Sequence, residues 1–203
     1  MTGSFEEQEL KDRLSLIETM ITQGRRTTES WGWTFVLWGV AYYIAIGWST
    51  LGHASMAWIV TMVAAGVLTG VVASRMNRSH PETTLGRSIS AVWLSMGISI
   101  FILMVSLGYS GKLEAQASVA IVSAMLGMAN ATSSMILKWK AQFACALVWW
   151  AATVAACFGT ETQSSIVFLA AIFLCQIMFG IYCMIRESQM RKRQNGSQGA
   201  VHA

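Results

Sequence analysis

WGWTFVLWGVAYYIAIGWSTL, residues 31–51, holds no Asp, Glu, Lys, Arg, His or Pro. As a helix this run rises about 30 Å, the thickness of a hydrocarbon core. Five more runs of the same kind follow: Ala54–Ala73, Ile89–Leu107, Ala115–Leu137, Ala141–Phe158 and Ser164–Ile185. In lipid every backbone polar group must be satisfied within the segment, so each run reads as a transmembrane helix. The chain has 203 residues, of which 54% are hydrophobic and 12% charged. Six spans leave no room for a second, soluble domain. The single proline, Pro81, lies outside every run, so no span is kinked by proline.

The bases set the orientation. With the N-terminus in the cytoplasm, Lys11, Arg13, Arg25, Arg26, Arg75, Arg78, Arg87, Lys138, Lys140, Arg186, Arg191, Lys192 and Arg193 fall on the cytoplasmic side and Lys112 alone falls outside. That asymmetry follows the positive-inside rule and places the C-terminus in the cytoplasm too. A net charge of +4 distributed in this way argues against a nucleic-acid partner. The reading is an all-α polytopic membrane protein: six transmembrane helices, about 31–51, 54–75, 88–108, 114–137, 141–158 and 164–186, in a compact bundle. An N-terminal cytoplasmic helix over 4–24 precedes the bundle. A basic, then disordered, cytoplasmic tail over 187–203 follows it.

In the N-terminal segment, Leu10, Leu14, Ile17 and Ile21 step by four, three and four and fall on one narrow stripe of a helix. Ser4-Phe5-Glu6-Glu7 fits a capping box, and Gly24 fits a helix stop. A stripe this narrow, with a mixed and mostly acidic opposite face, suits a helix–helix seam better than a lipid surface. These four residues are the expected partner-docking site. The stripe has three candidate occupants: the protein's own cytoplasmic loops, a cytoplasmic partner, or a second copy in a homo-oligomer.

Small residues mark helix packing. Span four carries Ala120, Ala124, Gly127, Ala131 and Ser134 on one face, and span three carries Ser88, Ser95, Ser99 and Ser106, so a tight hairpin of spans three and four is expected. Span two carries Gly66 and Gly70 as a GxxxG. The turn between spans four and five fits either 130–134 or 138–141, where Lys138 and Lys140 stand. Trp31, Trp33, Trp93 and Trp139 fall near the cytoplasmic ends of spans, as an aromatic belt would.

No Asp, Glu, Lys, Arg or His stands in the middle of a span. Ion-coupled transporters, voltage sensors and most intramembrane hydrolases place such groups at depth. His53, His80 and His202 fall in loops and tail, so no haem or di-metal ligand set forms between the helices. No catalytic, metal or cofactor residues are therefore assigned, and enzyme activity is not expected. Asn130 and Gln176 are the polar side chains of the spans that would bond across helices or contact a neutral ligand. The cysteines Cys145, Cys157, Cys175 and Cys183 form no CxxC and read as packing residues.

Leu16-Ile17-Glu18-Thr19-Met20-Ile21, then Arg25-Arg26-Thr27-Thr28-Glu29-Ser30-Trp31-Gly32-Trp33 and Leu37-Trp38-Gly39, resemble the N-terminal juncture of small six-span bacterial inner-membrane proteins that carry no assigned activity. The resemblance covers about the first 50 residues and the six-span plan. It implies a bacterial cytoplasmic membrane. The expected function is a non-enzymatic subunit, scaffold or sensor that couples the membrane to a cytoplasmic partner. The alternative is a small permease or channel for a neutral or apolar solute, alone or with a separate ATPase, in which Gln176, Asn130, Trp149 and Trp150 line the path.

Overall fold

The computed structural model describes residues 2–52, 56–77 and 84–201, with side chains over 7–52, 56–75, 85–190 and at 192. The three histidines lie outside the described residues. The described chain is all-α: α1 (Thr2–Ser30), α2 (Gly32–Leu51), α3 (Ala57–Asn77), α4 (Thr84–Tyr109), α5 (Ala115–Leu137), α6 (Lys140–Phe158), α7 (Glu161–Ile172) and α8 (Phe179–Val201). A π-helical segment, Phe173–Met178, joins α7 to α8. Six of the helical rods are long and apolar enough to cross a membrane, the sixth running Glu161–Met190 through the π segment. This is the make-up of a multi-pass membrane protein.

α5 is the most enclosed of these rods and forms a close antiparallel hairpin with α6. The turn falls at Lys138 and Trp139. Lys138 adopts φ 49°, ψ 44°, the left-handed conformation usual for glycine, and the Trp139 N–H bonds Ser134 O at 2.9 Å. The other candidate turn, 130–134, stays helical and buried. Its turn-forming side chains bond back onto α5 itself: Asn130 Nδ2 to Leu126 O at 2.9 Å and Ser134 Oγ to Ala131 O at 2.7 Å.

The small residues of α5 are used differently from the expected span three–four hairpin. A Cβ on Gly127 would lie 2.4 Å from Trp150 Cδ1, so the glycine makes room for an indole of α6, not for α4. Ser88, Ser95, Ser99 and Ser106 on α4 are all exposed. Ala131 is buried, while Ala120 and Ala124 are half-buried. Gly66 and Gly70 on α3 face open space, with nothing within 4 Å of a Cβ at either position. α3 packs on α2, and α4 on α5 and α1, with no extended α3–α4 contact among the described residues. Among the described residues no helix arrives at the GxxxG face.

Glycines elsewhere carry close approaches of helix backbones. A Cβ on Gly180 would lie 2.7 Å from Val36 Cγ2 and 2.8 Å from Gly32 O. One on Gly32 would lie 2.7 Å from Cys183 Cβ and 2.9 Å from Gly180 O. Gly39 sits against Gln176 and Ile177 in the same way. Gly32, Gly39 and Gly180 thus bring α2 onto the π segment and α8 almost backbone to backbone. An aromatic chain continues this contact inward: Phe35 meets Trp93 and Phe179 edge to face at 5.2 and 5.3 Å. Trp93 donates to Ser133 Oγ at 3.1 Å, and Trp139 is buried against Phe179. These two indoles serve the core, where an interfacial belt was expected, because α4 turns Trp93 toward α5 and the α5–α6 turn sets Trp139 against α8.

Two helix limits differ from the sequence reading. α1 runs through Gly24 to Ser30, and Ser4 is inside it, not a cap. A Cβ on Gly24 would lie 2.6 Å from Leu85 Cδ2 and 2.9 Å from Leu137 Cδ2, so this glycine serves close approach, not helix termination. α8 runs to Val201, over residues read as a disordered tail. Elongating an existing helix adds a hydrogen bond per residue without a new nucleation step.

Candidate functional site: the clamp at the root of α1

α1 has two parts with different surroundings. Its last turns are held by the bundle. Arg25 donates from Nε to Leu137 O at 2.6 Å and from Nη2 to Lys138 O. Those carbonyls end α5, where free C=O groups and the negative end of the helix dipole favour a cation. Glu29 is 2% exposed. Its Oε1 pairs with Arg186 Nε of α8 at 3.4 Å, while Oε2 is buried with no hydrogen-bond partner among the described residues. Gly24 supplies the close contact described above. Helix α1 is therefore tied to α4, α5 and α8 at once.

The rest of α1 stands clear. Leu10, Leu14 and Ile17 are 61, 55 and 51% exposed, and Ile21, nearest the bundle, is half-buried. Their flanks are closed by pairs within the helix: Lys11 Nζ to Glu7 at 2.8 Å and Arg13 Nη2 to Glu9 at 2.6 Å. The four stripe residues are thus brought onto one face, and no described part of the chain covers the first three.

Burial pushes the Glu29 carboxyl above its ordinary value; Arg186, Arg25 and Arg26 pull it back and Glu187 adds to the rise. A raised folded value means the clamped state holds a proton that the released state has lost. Clamp stability therefore falls as pH rises through the window that begins at the ordinary value of 4.5. We expect the amide protection of residues 24–30, corrected for intrinsic exchange, to decrease from mildly acid to neutral pH, and Glu29→Gln to flatten that slope. A slope of the opposite sign, or one that persists in Glu29→Gln, would remove Glu29 as the titrating group.

The interior holds polar side chains at depth. Gln142 is fully buried with neither amide atom bonded among the described residues, and Asn130 Oδ1, Ser123 Oγ and Trp149 Nε1 are likewise orphaned. Gln176 is buried inside the π segment, opposite Gly39. A π-bulge adds a residue to the turn and often accompanies a functional position. Cys175 Sγ donates to Cys145 O at 3.6 Å, which aligns this segment with α6. Trp149 is enclosed beside Phe168, whereas Trp150 lies outward over Gly127, so the two indoles do not share one face. No group of three or more His, Cys, Asp or Glu that could hold a metal is present among the described residues.

Arg25, Glu29 and Gln142 escaped the sequence reading. For Glu29 a signal existed: a carboxylate three residues before the apolar α2 begins. Arg25 looked like one more topology-setting base, and Gln142 like the edge of a span. Compared with known protein families, curated proteins and solved structures, the chain matches none.

Proposed function

We propose that the chain is an integral protein of a bacterial cytoplasmic membrane, crossing it six times with both termini in the cytoplasm. It acts without catalysis, as a subunit, scaffold or sensor that couples its bundle to a protein in the cytoplasm. The asymmetry of its bases supports the orientation. One observation carries the coupling: α1 is anchored at one end through Arg25, Gly24 and Glu29 while its apolar stripe stands free at the other. A force or displacement on the stripe reaches α4, α5 and α8 through that anchor, and a rearrangement of those helices moves the stripe in turn.

The test is Leu14→Asp together with Ile17→Asp. Both positions are exposed, so the bundle keeps its thermal unfolding midpoint in detergent. We expect the protein bound to α1 to disappear from a mild-detergent affinity purification, because two charges in a seam of four apolar residues leave it no dry contact. Unchanged recovery of that protein, with an unchanged phenotype, would end the coupling reading.

A further inference from the structure

We infer that the apolar stripe of α1 closes on the α1 of a second copy of this chain, in a parallel two-stranded coiled coil beyond the end of the bundles, and that the cytoplasmic protein docks on the paired helices so formed. The inference rests on the membrane reading above, since it takes two copies inserted with the same orientation. Leu10, Leu14, Ile17 and Ile21 occupy heptad positions d, a, d and a. The next d position is Gly24, which the chain's own Leu85 and Leu137 already cover, so the seam open to a partner is the part from Leu10 to Ile21. Leu10 lies fourteen residues from Gly24, about 21 Å along the helix, clear of the bundle.

The charges beside the seam select the occupant. Arg13 stands at g and Glu18 at e. In a parallel pair, each g residue faces the e′ residue five positions on. That sets Arg13 against Glu18, of opposite sign, and two-fold symmetry doubles the pair. The seam is thus complementary to itself. The i,i+4 pair that Arg13 makes within α1 is well exposed, so its side chain can turn to a partner helix at little cost. Two heptads are marginal as a free coiled coil. Here each α1 is held at its root by Arg25 and Glu29, and confinement of both copies to one membrane raises their effective concentration.

Single cysteines test the geometry in native membranes. In the full chain with Cys157→Ser, which removes the exposed native thiol, cysteine is placed in turn at Leu10, Leu14 and Ile17 and at Asp12, Ser15 and Thr19. Mild oxidation is expected to form disulfide-linked dimers at the first three, roughly tenfold faster than at the outward positions. Uniform cross-linking at all six, or none at Leu10, Leu14 and Ile17, overturns the inference. A charge exchange keeps it falsifiable if a cysteine variant folds poorly. Arg13→Glu or Glu18→Arg alone is expected to lower the dimer fraction about fivefold, and the two together to restore it. Failure of the double exchange to restore dimers overturns the inference. Cross-links from Leu14→Cys to a different protein only would overturn it while leaving the proposed function standing. Labelling of Asp12→Cys in intact cells by a membrane-impermeant maleimide would place α1 outside, and would overturn the membrane orientation and this inference together.

Discussion

Gly180→Val is expected to destabilise the bundle by about 3 kcal/mol, the cost of forcing a branched side chain into a filled contact. In detergent this corresponds to a fall of roughly 10 °C in the unfolding midpoint. The obstacle is backbone: Gly32 O would lie 2.8 Å from the first added carbon, and Val36 N 3.0 Å. A flexible side chain can swing aside, but a helix backbone can yield only by moving α2 away from α8. Separation of these helices would also loosen Phe35 from Phe179. Gly66→Ala is the matched control. It adds the same first carbon where nothing lies within 4 Å, and alanine favours a helix by about 1 kcal/mol over glycine. The control should leave the midpoint unchanged or raise it. If both variants behave alike, the α2–α8 crossing is not the tight contact of this fold.

Arg25→Ala is expected to free the root of α1. The side chain makes two charge-assisted bonds to the carbonyls that end α5, and solvent reaches part of it. With allowance for screening, their loss amounts to about 2 kcal/mol, or roughly thirtyfold less amide protection over residues 24–30. Arg25→Lys should fall between, since lysine keeps the charge but not the planar fork that serves two acceptors at once. The unfolding midpoint of the bundle should change far less than the protection of α1. Equal protection in wild type and Arg25→Ala would mean that Gly24 and Glu29 hold the helix without the guanidinium.

The six apolar helices were readable because their signal is local. Length and the absence of charge are properties of a continuous stretch, and no distant residue alters them. The run over 115–137 coincides with α5, and that over 141–158 begins one residue inside α6. The partner of each small-residue face was not readable. A stripe such as Gly66 and Gly70 says that a helix can be approached closely on that side, not that one arrives. By the same logic Gly24 looked like a stop, since glycine permits both a C-cap and a close contact and only the arrival of Leu85 and Leu137 distinguishes them.

Candidate site residues divide along the same line. Helical period alone puts Leu10, Leu14, Ile17 and Ile21 on one face of α1. Asn130 and Gln176 were found because an amide in an apolar run is conspicuous, and both are buried. Arg25 and Glu29 were missed because each gains its meaning from a partner over a hundred residues away: the α5 carbonyl end at Leu137 and Lys138 for one, Arg186 for the other.

By itself the sequence determined the number and extent of the long apolar helices, the gathering of bases at their ends and the apolar stripe along α1. All of these follow from periodicity and composition over a few turns. Only the tertiary structure decided which helix lies at the centre, which glycines bear contacts, where the α5–α6 turn falls and how α1 is fastened. Those depend on the order in which helices pack, and that order is set by long-range contacts no local stretch encodes.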